Sequence, residues 1–483
     1  VITSDTAGVG RSGYHPRLTN QDLAPLAERN WSSFNIFAFW MSDVQSLGGY
    51  VTAGTLFSLG LASWQVLVSL LVGSVCVYFL CNLTAKPSQA GGVPYPVLYR
   101  SAFGVLGANV PAIIRGLIAV PWFGIQTYLA SAALDVVLLK LFPALLPYGD
   151  VTRYGFVGLS LLGWGTFILL WGLQVALFWR GMNVIRRFIG LCGPVVSAVM
   201  FLLCGYMISK AGWGAIDLNL GAITHAGFDS IPVMLGAIAL VVSYFSGPML
   251  NFGDFSRNVT SFDAVKRGNF LGLPLNFVVF SVLAVVTASL TVPVFGELIT
   301  DPVQTVARIG STFAIVLGAF TLAVATVGIN IVANFISPAF DFSNISPQRI
   351  SWRAGGMIAA VGSVAITPWN LYNNPIVIHY TLELLGALIG PLFGVLVADH
   401  YLVQRQKLVV DDLFTLDHRG KYWYRGGYNP IALLATLVGG IPAVLPVLLG
   451  DHVAAQYSWF IGCGVALVVH LLLSSWRAAF GAG

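Results

Sequence analysis

Charged side chains are scarce in this sequence. Only 9% of its 483 residues are Asp, Glu, Lys or Arg, against about 25% in a soluble domain. So few cannot cover a water-facing globule of this size. The net charge of +5 is therefore not a nucleic-acid signal, and how it is distributed matters more than its sum. Cysteine is sparse too. The five (Cys76, Cys81, Cys192, Cys204 and Cys463) all fall in apolar stretches and none forms a CxxC pair, so they read as small apolar core residues. There is no Walker motif, no GxGxxG between strand and helix, no HExxH and no alternating strand pattern. These absences leave no basis for an ATP-driven pump or a metal enzyme.

What is abundant is apolar length. Hydrophobic residues make up 57% of the chain and the mean hydropathy is +0.82. Stretches long enough to cross a bilayer as helix, about 20 residues each, recur throughout. Twelve spans are expected, near 33–58, 64–84, 108–134, 155–178, 186–207, 231–252, 269–293, 309–337, 354–370, 377–403, 430–450 and 457–475. The fold class is an all-α membrane protein, with the bilayer as its partner. Residues 1–30 are polar and show no cleavable signal peptide. Lys and Arg crowd one side: if the N-terminus is inside, the outer loops keep only Lys140, Arg153, Lys210 and Arg308. That bias predicts both termini in the cytoplasm, with the chain in the cell's inner membrane. The expected divisions are a tail (1–30), five spans (31–208), five more (209–404), and a loop with two further helices (405–483).

Two spans are interrupted. The first reads "FWMSDVQSLGGYVTAG", with Gly48 and Gly49 at mid-depth. The sixth reads "VVSYFSGPMLNFGDF", with Ser246, Gly247 and Pro248. Each could be an ordinary kink. Their positions argue otherwise, because each opens a group of five spans, and an odd number inverts the second group relative to the first. Paired breaks of this kind point to a transporter site at the midplane. The third span of each group then matters. One carries Trp122 and Gln126, and the other Asn330 and Asn334, each pair four residues apart on one helical face. A buried amide is often only an interhelical hydrogen bond, but these line up with the breaks. Trp122 and Phe245 offer flat faces. Gln126 and Asn334 each offer a carbonyl acceptor and an NH₂ donor, a match for a –CO–NH– edge. No Lys or Arg is expected at mid-depth, with Arg115 near the inner end of its span, so the expected ligand is small, planar and neutral.

The chain resembles the nucleobase:cation symporter-1 family across nearly its whole length. The segments that carry the resemblance are "LTNQDLAPL…NWSSFNIFAFWM", "GVPYPVLYRSAFG", "WFGIQTYLA", "NFGDFSRN", "IVANFISPAFDFSN" and "DDLF…YWYRGGYN", and they look closest to the hydantoin, allantoin and uracil branch. The resemblance implies a five-plus-five inverted-repeat fold with two extra C-terminal helices. Spans 1, 2, 6 and 7 would rock against spans 3, 4, 8 and 9. It implies substrate contacts from Trp122, Gln126, Asn334 and, near the first break, Ser46. It implies no cofactor beyond a coupling H⁺ or Na⁺, and no obligate protein partner is evident. The chain departs from the family's hydantoin transporters in two places. Their second stacking tryptophan falls on Phe245, preceded by Tyr244 instead of glycine. Their sodium site implies backbone carbonyls at Ser42, Gln45 and Ala325, but the two hydroxyl positions are Gly328 and Ile329.

Acidic groups at depth cost about 2.5–3.5 kcal/mol on insertion scales and count as functional candidates. Asp43 lies just before the first break. Glu383 lies in the tenth span with His379 one turn away. Either could be a structural group or a protonatable site coupled to transport. Asp254 and Arg257 read as a structural or gating pair at the inner end of the sixth span. A transporter that is not an enzyme, and that takes uracil or a related nucleobase, hydantoin or allantoin, is the expected function. A channel-like facilitator and a membrane-embedded enzyme are the other classes weighed.

Overall fold

The computed structural model describes residues 13–45, 59–220, 223–372 and 375–480, with 54, 56 and 57, and the side chains of all these except 322, 372–382 and 478–480. The helices that matter here are α1 (Ser33–Val44), α2 (Ser63–Gly91), α3 (Asn109–Leu141), α4 (Leu161–Trp179), α5 (Met182–Ala211), α6 (Ser230–Tyr244), α7 (Phe262–Phe295), α8 (Thr312–Ile345), α9 (Trp352–Ala365), α10 (Pro375–Val397), α11 (Pro430–Leu449) and α12 (Ser458–Phe480). Among the described residues, ten helices are long and apolar enough to cross a membrane. The helices α1 and α9, with 12 and 14 residues, are too short to be among them. The first break, at Gly48 and Gly49, and the site candidate Ser46 lie outside the described residues.

Expectation and structure differ at the start of the fourth span. No strand was expected, yet residues 155–160 form a two-residue antiparallel ladder, Gly155–Phe156 against Leu159–Ser160. The turn between them needs positive φ at both positions, and Val157 (52°) and Gly158 (88°) adopt it. The indole of Trp369 fixes the turn by donating to the Val157 carbonyl at 2.7 Å. A ladder this short leaves no alternating pattern to read.

The helices sort into two groups. The first, α1, α2, α6 and α7, packs together; α3, α8 and α9 form the second, with α4 beside α3. The helix α5 lies against α1 and α8, while α10, α11 and α12 associate with one another. This grouping is the one the resemblance implies. Close approach around α1 depends on two glycines. A Cβ on Gly272 of α7 would stand 2.4 Å from the Trp40 Cβ, and one on Gly193 of α5 would stand 2.8 Å from the Met41 Cβ. With lipid as solvent, small residues of this kind let helix backbones meet. The Trp40 indole then donates to Asn269 Oδ1 at 2.7 Å, tying α1 to α7.

Two irregularities aim side chains. The helix α6 stops at Tyr244, Phe245 takes φ −86° and ψ 4°, and a new helix runs Ser246–Leu250. Pro248 explains part of this, having no N–H to offer the carbonyl four residues back. The helix α8 widens into a π turn at Ile331–Ile336, a feature frequent at functional sites. In that register the donor to the Ala333 carbonyl would be residue 338, which is a proline. Arg115 of α3 supplies the missing bond, its Nη2 donating to Ala333 O at 2.9 Å.

Candidate binding site

Five parts of the fold wall one small cavity of about 60 Å³. From α3 come Arg115, Ile118, Trp122 and Gln126; from α1, Asp43; from the broken α6 region, Tyr244, Gly247 and Pro248. Ile329, Ala333 and Asn334 come from α8 and Leu385 from α10. The α3 residues recur at steps of three and four, so they form a single stripe. Trp122 Nε1 and Gln126 Oε1 are buried without a hydrogen-bond partner among the described residues. A flat ring and an unpaired amide oxygen thus face one space.

The structure divides the two asparagines. Asn334 lines the cavity and is 8% exposed. Asn330 was expected beside the ligand, but it is fully buried behind the wall and its hydrogen-bonding capacity is used. Its Nδ2 donates to Gln174 Oε1 (2.7 Å), Thr127 Oγ1 (3.0 Å) and the Phe123 carbonyl (3.0 Å). Its Oδ1 accepts from Asn334 Nδ2 at 3.1 Å. Asn330 therefore holds Asn334 in place. The reason is angular: one face of α8 meets α3 and α4, and the π turn swings Asn334 off that face.

Phe245 is the second correction. It does not reach the cavity; it is fully buried, edge-on to Trp40 at 5.8 Å and to Phe277 at 5.3 Å. Its neighbour Tyr244 takes the cavity position. The helix ends between the two residues, so they point apart.

Arg115 is the third. No cation was expected at mid-depth, yet Arg115 lines the cavity and is 2% exposed. Its spacing gives the signal that could have found it, since it stands seven residues, two turns, before Trp122 on the same stripe. The carboxyls of Asp341 and Asp254 are the acidic groups that bear on it, and its Nη2 donates to the Ala333 carbonyl.

At the expected cation position, Ser42 and Ala325 are fully buried and the Ser42 Oγ has no hydrogen-bond partner among the described residues. A Cβ on Gly328 would lie 3.8 Å from that oxygen. The Gln45 side chain is committed elsewhere, donating to Asn276 Oδ1 (3.1 Å) and accepting from Ser197 Oγ (2.8 Å). Glu383 was expected at mid-depth beside His379. The His379 side chain lies outside the described ones. Glu383 instead meets His452, Oε1 to Nδ1 at 3.0 Å, and the side chain of His452 is 63% exposed. The pair thus opens at one end of the bundle. Asp43, by contrast, is 5% exposed and lines the cavity. Among the described residues no group of three or more His, Cys, Asp or Glu could hold a metal.

Asp254 and Arg257 do not form a direct ion pair. Asp254 accepts from the Tyr95 N–H at 2.8 Å. Arg257 donates to the Asp22 carbonyl at 2.9 Å and lies over the Phe340 ring.

Residues 24–466 match the family model described as permease for cytosine/purines, uracil, thiamine, allantoin. An allantoin permease of Bacillus subtilis is 31% identical over 95% of this chain and 93% of its own length. A purine-uracil permease of Arabidopsis thaliana is 31% identical over 90% of this chain and 73% of its own. Among solved structures, a nucleobase-cation-symport-1 family transporter, closed with bromovinylhydantoin bound, superposes with a TM-score of 0.77 at 24% identity, covering 96% of both chains. These relatives are permeases, and the chain has their fold as an integral membrane protein. The chain belongs to the family of permeases for cytosine and purines, uracil, thiamine and allantoin.

Proposed function

We propose that the chain is a secondary active symporter. It imports a small, neutral, planar ring with an amide edge, such as uracil, a hydantoin or allantoin, by alternating access. Both termini face the cytoplasm, and the two groups of five spans divide near residue 209. The observation that carries this reading is the meeting of the Trp122 ring with the Gln126 and Asn334 amides in one cavity, beside the break in α6. Stacking on an aromatic is worth about 1–3 kcal/mol per base and tolerates many flat rings. The amides supply discrimination, since a ligand without the matching edge leaves them unpaired. Arg115 in the same wall donates its Nη2 to the Ala333 carbonyl, which turns part of its guanidinium away from a ligand.

Coupling to H⁺ is favoured over Na⁺. Sodium is a hard cation and wants several oxygen ligands, a preference familiar from calcium and magnesium. Gly328 and Ile329 bring no side-chain oxygen to the cation position. Glu383, paired with the exposed His452 and two residues from cavity-lining Leu385, is the acidic group assigned to the coupling. The second reading is a sodium-coupled hydantoin or allantoin permease, and the Ser42 Oγ beside Gly328, without a partner among the described residues, favours it. A thermal-shift panel of nucleobases, hydantoins and allantoin on the purified chain tests the ligand class. Stabilisation by neutral amide-edged rings and none by orotate is expected; strong stabilisation by orotate would contradict the neutral cavity.

A further inference from the structure

The cavity amide Asn334 stands on the least regular stretch of its helix. It belongs to the π turn Ile331–Ile336, whose hydrogen bonds close one residue later than those of an α-helix. The ladder of this turn is short of a donor. Ala333, the residue before Asn334, is buried and lines the cavity. Pro338, five residues on, is buried as well and has no N–H to offer the Ala333 carbonyl. That carbonyl takes its bond from another helix, Arg115 Nη2 donating to it at 2.9 Å. It is the one hydrogen bond of the Arg115 side chain among the described residues, and the Arg115 Nε has no partner there. Neither oxygen of Asp341 has a hydrogen-bond partner among them, and none of the direct ion pairs there includes Arg115. The guanidinium is thus fixed by a backbone carbonyl, not by a carboxylate. Gly247 of the broken α6 region packs on it, and a Cβ there would lie 3.5 Å from Nη2.

Resting on the transport reading above, we infer that Arg115 is a positioning residue for the substrate: its bond to the Ala333 carbonyl fixes the π turn in the register that presents Asn334 to the ligand. The Asn334 side chain is held separately, by Asn330 Oδ1 at 3.1 Å. Arg115 therefore sets the backbone and Asn330 the amide. Without the guanidinium, the Ala333 carbonyl is a buried acceptor with no donor, a costly state. The turn relieves it by moving its extra residue along the helix. Each residue of an α-helix turns by about 100°, so a shift past Asn334 carries its amide off the cavity wall. Arg115 acts in this way on amide recognition and leaves the Trp122 face as it is.

Double-mutant cycles on the purified full-length chain test this, with binding of uracil, hydantoin and allantoin read by titration calorimetry. Arg115→Met keeps the length of the side chain and removes the donor. It is expected to weaken binding about tenfold, the loss that follows when an amide is no longer presented. In an Asn334→Ala background the same change should cost less than about twofold, the limit of additivity error, because the amide it positions is already gone. In a Trp122→Ala background it should cost the full tenfold. Pro338→Ala returns a backbone N–H to the turn, and Arg115→Met should then have little effect. Equal losses in all these backgrounds, or wild-type affinity in Arg115→Met, would overturn the assignment and leave the Trp122 cavity standing. If Arg115→Met does not fold, the Pro338→Ala background decides. Folding there with near wild-type affinity supports the assignment. Failure to fold there, or folding with the tenfold loss, overturns it, since the guanidinium is then needed for more than this carbonyl. A wild type that binds none of the three rings, or a Trp122→Ala variant that binds them unchanged, would sink the transport reading itself.

Discussion

Replacing Asn330 by alanine separates a residue that builds the cavity from one that touches the ligand. The substitution leaves two atoms without partners. Gln174 Oε1 loses the 2.7 Å bond from Asn330 Nδ2, and Asn334 Nδ2 loses its 3.1 Å bond to Asn330 Oδ1. Thr127 Oγ1 keeps its bond to the Phe123 carbonyl and the one it accepts from Gln174 Nε2. Gln174 is fully buried, so its orphaned oxygen falls in the range of about 1–3 kcal/mol. Asn334 is at the cavity wall, where water can reach it, and its cost sits at the low end. Interhelical hydrogen bonds measured in membranes average about 0.6 kcal/mol and reach about 1.7, which holds the sum down. A loss of about 2–3 kcal/mol follows, with ligand affinity reduced because Asn334 is no longer oriented. Thermal unfolding in detergent, followed without and with allantoin, reads both effects. The variant should melt clearly below the wild type even without ligand, whereas Trp122→Ala should melt like the wild type and bind poorly. An Asn330→Ala chain that melts like the wild type but loses affinity as far as Asn334→Ala would refute the reasoning and put Asn330 at the ligand.

Trp122→Ala and Asn334→Ala should each weaken binding more than tenfold by calorimetry, the latter most for amide-edged ligands, from the stacking and unpaired-donor magnitudes above. Glu383→Gln, which mimics the protonated acid, should keep binding but lose accumulation against a gradient in proteoliposomes; unimpaired accumulation would remove Glu383 from the coupling. Gly328→Ser adds an oxygen where the Cβ lies 3.8 Å from the Ser42 Oγ, so uptake should gain a dependence on sodium that the wild type lacks. Identical sodium titrations of the two would argue against a cation position there.

The membrane class was legible because 9% charge cannot solvate a globule, and the long helices followed from apolar run length. The α3 stripe was legible too, because helical spacing alone puts Trp122 and Gln126 on one face. Sequence spacing failed where the backbone leaves ideal helix. The same four-residue rule pairs Asn330 with Asn334, but the π turn at Ile331–Ile336 rotates one into the cavity and keeps the other behind it. Of the two aromatics expected at the site, Tyr244 and Phe245, only Tyr244 lines the cavity, since the helix ends between them. Arg115 was discounted by its distance from the span's centre. Its place depends on a carbonyl freed by Pro338 on another helix, which no local pattern reveals. The link between Glu383 and His452 joins residues 69 apart in sequence, and only tertiary structure brings them together.

The central claim is that the Trp122 cavity carries a neutral amide-edged ring across the membrane against its gradient. Proteoliposomes containing the wild type or Trp122→Ala, loaded at neutral pH and placed in acidic medium without sodium, test it most directly with labelled allantoin or uracil. Saturable accumulation by the wild type, collapsed by a protonophore and absent in Trp122→Ala, is the predicted result. Uptake that does not saturate, or that proceeds equally in Trp122→Ala, would contradict the account. Accumulation that requires sodium and ignores a protonophore at fixed sodium gradient and voltage would leave the cavity in place and overturn the proton coupling.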